Sequence, residues 1–551
     1  MTKHQNSVNL LFAGLMMTQF MSSLGQTVLS SALPTIVGEL NGVEHMAWVI
    51  TAFILASTIV MPIYGKLSDL MGRKPLLLSA IVLFLIGSVL GGIADSMELL
   101  IAARAVQGIG GGGLMILSQA AIADVIPARE RGKYMGIMGA TFAVSSVAGP
   151  LLGGWFTEGP GWRWAFWINL PLGVLSIVAT MLFLRKPVRA LQERPKLDIL
   201  GMALLSVATT ALVLALTWGG SLYGWTSPLV VGLYVTTAVT GALFVWVESK
   251  AAEPIMPLFL FRDRNFNLTT LAALVTAIAM FGAIGYMPTY LQMAGGYSAS
   301  TAGLLMAPMM LALLITATIS GIVVSRTGNY KNLPIIGSFV VALGLLLMAR
   351  ITVDTQVWVI CAAMSVLGMG LGMSMQILTL IVQNSFPLKV VGTATASTNY
   401  FRQVGSTLGS AVVGSVFASR LTGRVEENLA GLVDSSAAGQ LDANSFTPAL
   451  VHELPGPLRD AVVLSYNQAL IPIYMWLIPL AIVAAVLLFF VRQKPLATTI
   501  EESISGSAMT AVEGVEQAIH DFEVRQIGDE MDHAVSLSQP SAAGSGRGER
   551  S

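Results

Sequence analysis

The chain reads as an all-α membrane protein in which two six-helix bundles flank two inserted helices, fourteen spans in all. Three observations predict this: the number of bilayer-length apolar stretches, the lysines and arginines piled on alternate sides of them, and a loop motif that occurs twice. With 54% hydrophobic and only 11% charged residues, a chain of 551 residues has too little polar surface to clothe a water-soluble globule. Its mean hydropathy of +0.73 says the same.

A helix needs roughly 20 apolar residues to cross the hydrocarbon layer. Such stretches lie near 10–33, 46–65, 76–95, 99–123, 134–156, 164–184, 198–217, 228–247, 268–291, 302–324, 333–351, 357–380, 393–417 and 469–491. Short loops rich in Lys and Arg stay on the cytoplasmic side. With the N-terminus inside, the even loops carry Lys66, Arg73, Lys74, Arg129, Arg131, Lys133, Arg185, Lys186, Arg189, Arg194, Lys196, Lys250, Arg262, Arg264, Arg326, Lys331 and Lys389. The odd loops carry only Arg163, Arg350, Arg420, Arg424 and Arg459, so both termini are expected in the cytoplasm. The formal net charge of zero hides this asymmetry and gives no support for a nucleic-acid partner.

The polar start, Met1–Val8, has no small-residue cleavage site after the first span, so that span is expected to be a retained helix. Cys361 is the single cysteine, which excludes an internal disulfide and a cysteine-based metal site. The loop after the second span, Gly65-Lys-Leu-Ser-Asp69-Leu-Met-Gly72-Arg73-Lys74, has a weaker echo after the tenth, Gly321-Ile-Val-Val-Ser325-Arg326-Thr-Gly328-Asn-Tyr-Lys331. That repeat divides the chain into an N-terminal half at 1–190, an inserted two-helix linker at 191–265 and a C-terminal half at 266–495. Charged segments at Arg185–Asp198 and Glu248–Asn265 bracket the insert. A hydrophilic external loop is expected at 419–468, with Leu421, Val425, Leu429 and Leu432 forming one short amphipathic helix in it. In the cytoplasmic tail, 496–551, Val512, Val515, Ile519 and Phe522 fall at helical spacing, and the Gly/Ser-rich Ser541–Ser551 is expected to be disordered.

The 65–74 loop combines a helix-ending glycine, an acid, a tight glycine turn and two bases. Asp69 can accept hydrogen bonds from the start of a neighbouring helix or pair with a base near spans 4 and 5, while Gly72 permits a turn that a Cβ would hinder. The alternative is an ordinary basic loop. Read whole, the loop resembles the signature of the major facilitator superfamily, Gly-x-x-x-Asp-x-x-Gly-Arg-Lys. Leu100-Ile-Ala-Ala-Arg104-Ala-Val-Gln107-Gly108 is similar to the family's fourth-helix motif, and Gly149-Pro150-Leu-Leu-Gly153-Gly154 to the fifth-helix motif of its exporters. Trp162-Arg-Trp164-Ala-Phe-Trp167-Ile-Asn169-Leu-Pro171, Leu33-Pro34 closing span 1, and Phe401-Arg402-Gln403 resemble the fourteen-helix drug:proton antiporters. The resemblance covers about residues 8–495.

It implies a multidrug-efflux antiporter of the plasma (inner) membrane that exports lipophilic small molecules by alternating access of two halves, in exchange for protons and as a monomer. A dedicated exporter of one metabolite, lipid or polyamine is the alternative, and a non-transporting sensor that uses the tail is a remote one. Gly65, Asp69, Gly72, Arg73 and Lys74 would form a conformational latch. An arginine inside a span costs at least ~2.5 kcal/mol and normally faces a bundle interior or water. The resemblance makes Arg104 the residue of proton handling, with snorkelling to the outer boundary as its alternative. Arg402 lies deeper and is expected to face the cavity, or else to be a buried structural ion. Pro150 interrupts the helical ladder, and Gly149, Gly153 and Gly154 should let that helix pack closely.

The departure from the family pattern lies at the end of span 1. The resembling antiporters read Leu-Asp-x-Thr-Ile-Val there, whereas this chain has Leu24-Gly25-Gln26-Thr27-Val28-Leu29. No Asp or Glu lies well inside any span. Neutral polar groups are left to line the substrate cavity, among them Gln26, Thr27, Tyr286, Tyr290, Gln376 and Asn399 beside Arg402, with Asn169 and Gln403 also available. A proton would then ride on an end-of-span acid such as Asp124, or on the substrate, unless Asp124 simply partners the Arg73 loop.

Other classes are excluded by missing chemistry. Gly108-Ile-Gly110-Gly-Gly-Gly113 matches a dinucleotide pattern but lies within a span with no βαβ unit around it. There is no Walker motif, His-Glu-x-x-His, Gly-x-Ser-x-Gly or pair of buried acids, so neither direct use of ATP nor a membrane-embedded enzyme is expected. No cofactor and no metal is implied.

Overall fold

The computed structural model describes residues 3–40, 45–184, 197–220, 223–429, 450–451 and 454–498. The basic stretch Arg185–Lys196, Leu432 of the external loop, and the tail with Val512, Val515, Ile519 and Phe522 lie outside the described residues. Among the described residues every regular element is helical. In chain order the α-helices are α1 Lys3–Thr27, α2 Leu29–Glu39, α3 Met46–Met71, α4 Arg73–Gly92, α5 Met97–Val125, α6 Ala128–Glu158, α7 Trp164–Trp167, α8 Asn169–Phe183, α9 Ile199–Gly219, α10 Pro228–Glu248, α11 Arg264–Ile284, α12 Met287–Met293, α13 Ala299–Leu305, α14 Ala307–Thr327, α15 Asn332–Met348, α16 Val357–Ser385, α17 Val391–Leu429 and α18 Gly456–Phe489, with one 3-10 turn at Leu258–Arg262.

Eleven of the described segments are long and apolar enough to cross a membrane, and α15 is a shorter apolar helix. Their ends are set by local chemistry. Ser96, Asp198, Ser227 and Asp263 each accept a first-turn N–H at the starts of α5, α9, α10 and α11, satisfying donors that the helix itself leaves unpaired. Large apolar side chains on the outer faces of α8 and α18 stay exposed, Leu182 at 69% and Phe489 at 64%, as surfaces facing lipid must be.

Around α5 pack α3 and α4, with α1, α6 and α8 completing one group. The glycine run of α5 lets it lie against the backbones of α3 and α4. A second group contains α11, α14, α15, α16, α17 and α18, and the groups meet chiefly where α6 packs on α14 and α3 on α17. The pair α9 and α10 packs on itself and, through α9, on α3 and α17.

Four expectations are corrected. The first span does not close at Leu33-Pro34: Pro34 lies inside α2, which runs on to Glu39. Gly65 does not end a helix, because α3 continues to Met71. The amphipathic segment with Leu421, Val425 and Leu429 is no separate helix but the end of α17, its apolar stripe buried. The final span begins earlier than residue 469, since Gly456 opens α18 and Ala461, Val462 and Tyr466 bury against that extension. Asn428 Nδ2 joins the two extensions by donating to Ser465 Oγ at 2.9 Å.

On the face opposite the 65–74 loop, Trp162 Nε1 and Arg163 Nη1 donate to the two oxygens of Glu39 at 2.7 and 2.6 Å. Arg163 also stacks 4.3 Å over the Trp162 ring. The hydrogen bonds from Arg163 and Trp162 hold the Glu39 carboxyl below its ordinary value of 4.5. A depressed carboxylate contributes stability that is present above its unfolded value and is lost as pH falls through the folded one. Glu39→Gln is therefore expected to lower the thermal midpoint at neutral pH by about 1–2 °C, a small shift because the ion pair is half-exposed. The gap to the parent should close as pH falls below the carboxyl's ordinary value; a gap that persists in acid would show that the ion pair is not its cause.

Candidate functional site

The 65–74 loop closes one face of the bundle. Gly72 follows α3 at φ 87° and ψ 155°, a backbone conformation open to glycine alone, and this turn leaves Asp69 on the last turn of α3, facing α17. Asp69 Oδ1 accepts the Gly392 N–H at 3.1 Å, and Oδ2 accepts the Thr393 N–H at 2.7 Å and the Thr393 hydroxyl at 2.8 Å. Those are first-turn donors of α17 at the positive end of its dipole, so a carboxylate is the fitting partner. Gly65 belongs here through close approach: a Cβ would overlap the Cβ of Ala396 and sit 2.9 Å from Gly392 O.

Arg73 is buried between two acids, 3.5 Å from Asp69 and 3.0 Å from Asp124. Lys74 instead donates to Met181 O on α8 at 2.7 Å. Two participants were not foreseen. Lys66 pairs with Glu253 at 2.6 Å, joining the loop to the segment after α10. Arg131 donates to Ala123 O and Ile126 O at 2.7 and 2.8 Å, capping the end of α5.

The echo loop makes the reciprocal contact. Gly328 ends α14 at φ 74° as Gly72 ends α3, and Ser325, at the place of Asp69, accepts the Lys133 N–H at 3.2 Å. Arg129 at the start of α6 donates to Ser325 O at 3.3 Å and Arg326 O at 3.1 Å. Gly132 and Gly321 approach so closely that a Cβ on either would meet the other's backbone. Both α3–α17 and α6–α14 are thus closed on this face.

A cavity opens away from it. Its inner part, about 820 Å³ counting the mouth, is lined by Gln19, Ser22, Ser23 and Gln26 of α1, Met115 and Gln119 of α5, Phe142 of α6, Phe281 of α11, Met375 and Gln376 of α16, and Arg402, Gln403 and Ser406 of α17. Through Gln26, Phe281, Gln403 and Ser406 it continues into a wider space of about 1290 Å³, bordered by Ile50, Thr51, Val213, Tyr286 and Ser410. Arg402 lies about 15 Å along α17 from Gly392, and Ile54 about 22 Å along α3 from Asp69, at 1.5 Å per residue. Among the described lining residues Arg402 is the one charged group.

Gln26, Gln376, Tyr286 and Arg402 therefore border this space, and Asn399 lines a smaller recess beside Arg402. Thr27 and Tyr290 do not, contrary to expectation. Thr27 Oγ1 faces α6, donating to Ser145 O at 3.1 Å, and Tyr290 is buried with its hydroxyl accepting from Asn467 Nδ2 at 2.8 Å. Asp124, proposed for proton handling, lies at the far end of α5 against Arg73 and lines neither part. Gln19 and Gln119 were overlooked, although Gln19, Ser22, Ser23 and Gln26 form a polar stripe at helical spacing in an apolar span.

Arg104 does not snorkel. Fully buried, it donates to Gly25 O at 2.8 Å, Val49 O at 3.2 Å and Gln107 Oε1, and stacks 4.3 Å over Phe53. Gln107 passes the contact on to Ser88, which also receives Asn169. Among the described residues no carboxylate pairs with Arg104, and a Cβ at Gly25 would fall 2.9 Å from the Phe84 ring. In α6, Gly149 and Gly153 sit against Thr27 and Val28, where a Cβ would overlap, and Pro150 O accepts from Ser31; Gly154 touches nothing a Cβ would meet.

The family model described as Major Facilitator Superfamily matches residues 15–410. The chain belongs to the major facilitator superfamily. It is a multi-pass membrane transporter and not an enzyme. An uncharacterized MFS-type transporter of Mycobacterium tuberculosis (strain ATCC 25618 / H37Rv) is 39% identical over 490 residues, 89% of this chain and 70% of the relative. The multidrug transporter protein MdtP of Bacillus subtilis (strain 168) is 36% identical over 83% of this chain and 87% of its own length. Multidrug resistance protein 3 of the same strain is 32% identical over 91% and 98%. The crystal structure of the human organic anion transporter MFSD10 (TETRAN) superposes with a TM-score of 0.57 at 15% identity, over 88% of this chain and 100% of that one; this likeness concerns the fold alone.

Two outcomes are expected from this geometry. Asp69→Asn should reduce transport about tenfold or more at unchanged abundance, because a neutral amide loses charge-assisted acceptance of the α17 donors and the charge facing Arg73; normal turnover in a vesicle assay would remove the latch. Tyr286→Phe should alter the range of compounds carried, whereas Tyr290→Phe should lower thermal stability by about 1 kcal/mol or more and leave that range unchanged. A changed range with Tyr290→Phe would show that the buried tyrosine reaches the cavity.

Proposed function

We propose that this transporter is a multidrug exporter of the plasma (inner) membrane, carrying lipophilic small molecules outward by alternating access. The carrying observation is the pairing of a face closed by the Asp69–α17 contact with a polar-striped, largely apolar cavity open on the other side. Cavities of this kind bind many shapes by burial, with methionine and aromatic walls that repack at little cost. Relatives named for multidrug transport and efflux, at 31–36% identity, support the same reading.

In this reading the basic face is cytoplasmic, as are both termini, and the conformation is outward-open. We count α1 with α2, α15 and α17 as spans beside the eleven apolar segments, giving fourteen. The two groups of packed helices act as six-helix halves, with α9 and α10 inserted between them. The driving ion is the proton, with Arg104 as its charged residue; since Asp124 is held by Arg73, the titrating group that exchanges with it is assigned to the substrate. The exporter works as a monomer.

Expression in an efflux-deficient cell should lower the accumulation of neutral and singly charged lipophilic dyes, and a protonophore should restore it. Arg104→Ala should abolish the protonophore-sensitive part. Accumulation unchanged by expression would overturn the exporter reading, and efflux indifferent to the protonophore would overturn the proton drive.

A further inference from the structure

Arg402 stands in the inner cavity with no carboxylate within ion-pair distance among the described residues. Its hydrogen bond there runs from Nη2 to Asn399 Oδ1. A guanidinium can only donate, so the oxygen of Asn399 must face it and the Asn399 nitrogen must face away. That nitrogen donates to Gln119 Oε1 at 3.1 Å and to Thr395 O at 2.8 Å. Gln119 is therefore oriented in turn: its oxygen is taken, and its Nε2 is left as a donor. Gln119 is 1% exposed, and this Nε2 is buried with no hydrogen-bond partner. The arginine thus sets, through Asn399, the direction of an amide on a different helix, and both residues border one space.

Buried donors without partners cost free energy until something accepts from them. We propose that Arg402 and Gln119 form an anion subsite of the central cavity, and that its preferred substrates are lipophilic monoanions, carboxylates or phenolates. This rests on the exporter reading above and names its substrate class. The anion would accept from the Arg402 guanidinium and from Gln119 Nε2, bridging α17 and α5. Pairing offsets two penalties at once, that of the substrate charge and that of the arginine, each expensive at bilayer depth. The opposite preference has no support in the lining: among the described residues it contains no acid, so a cation would meet only neutral oxygens and the repulsion of Arg402. The oxygens Gln19 Oε1 and Gln376 Oε1 are buried without partners on other walls of the same space. They suit a hydroxyl or amide N–H on the substrate body, while Met115, Phe142, Phe281 and Met375 cover its apolar part.

The test uses three probes on one aromatic body: 1-pyrenebutyrate, its methyl ester, and the matching pyrenebutyl-trimethylammonium ion. Their binding to the full-length protein in lipid nanodiscs and their efflux from cells are measured for the parent, Arg402→Gln, Arg402→Lys and Gln119→Glu. The parent is expected to bind the carboxylate about tenfold tighter than the ester and to bind the cation weakest. That preference should fall away as pH drops through the probe's own carboxyl pKa, where the acid becomes neutral. It should vanish in Arg402→Gln, persist in part in Arg402→Lys, and be lost in Gln119→Glu, where a new carboxylate would take the guanidinium. If the parent binds the ester or the cation as tightly as the carboxylate, or if Arg402→Gln keeps the preference, the anion subsite is overturned while the exporter reading stands. If the parent neither binds nor exports any of the three, the exporter reading falls and the substrate class with it. The parent's ranking and its pH dependence decide the matter even if a variant fails to fold.

Discussion

The carboxylate of Asp69 against the first turn of α17 is the interaction on which the closed face depends. Three donors converge on it, two of them backbone N–H groups that no intrahelical carbonyl can satisfy. Its counter-charge, Arg73, is shared with Asp124 of α5, so the contact joins α3, α4, α5 and α17 at one point. Only because Gly65 lacks a Cβ can α3 come near enough to α17 for this to happen. On the other seam Ser325 takes the acid's place, and the burden passes to Arg129, which holds backbone carbonyls of the echo loop. One seam is held by charge against a helix dipole and the other by side-chain-to-backbone hydrogen bonds. A bundle that must open on this face needs contacts of that kind, local and replaceable by water, in preference to an apolar weld.

The second constraint is the cost of charge away from water. Each arginine drawn into the bundle is treated differently. Arg73 lies between two acids, Arg131 on the carbonyl end of α5, and Arg104 among carbonyls, an amide oxygen and the face of Phe53. Arg402 alone has a single amide partner and a cavity beside it. The gradation separates three arginines whose partners lie within the fold from one that also borders open space. Gly25 belongs to the same account: the Phe84 ring lies where a side chain would go, and Arg104 donates to the Gly25 carbonyl.

Much of this was legible in the residue order, and some was misread for a physical reason. Apolar length marks a span only while the helix faces lipid, so the polar interior helix α17 and its extension beyond the bilayer-length stretch looked like a helix, a loop and a second short helix. Proline stops a helix only where its ring meets an already formed turn, and Pro34 comes early enough in α2 to be carried along. Thr27 and Tyr290 are polar residues in apolar spans, which marks them as cavity candidates, but polarity does not say which way a side chain points. Thr27 turns to the α6 backbone and Tyr290 to Asn467.

By itself the sequence determined the helical class, the bilayer as solvent, the basic face and the family signature of the 65–74 loop. These follow from composition and from short-range spacing, where hydropathy and turn chemistry act within a few residues. Only the tertiary structure decided which helix Asp69 caps, that Gln19 and Gln119 join Gln376 around one cavity, and that Arg402 governs the orientation of an amide 283 positions away in the chain (402 − 119). Hydrogen bonds are directional and short, so their partners are set by how helices pack and not by how far apart the residues stand in the chain.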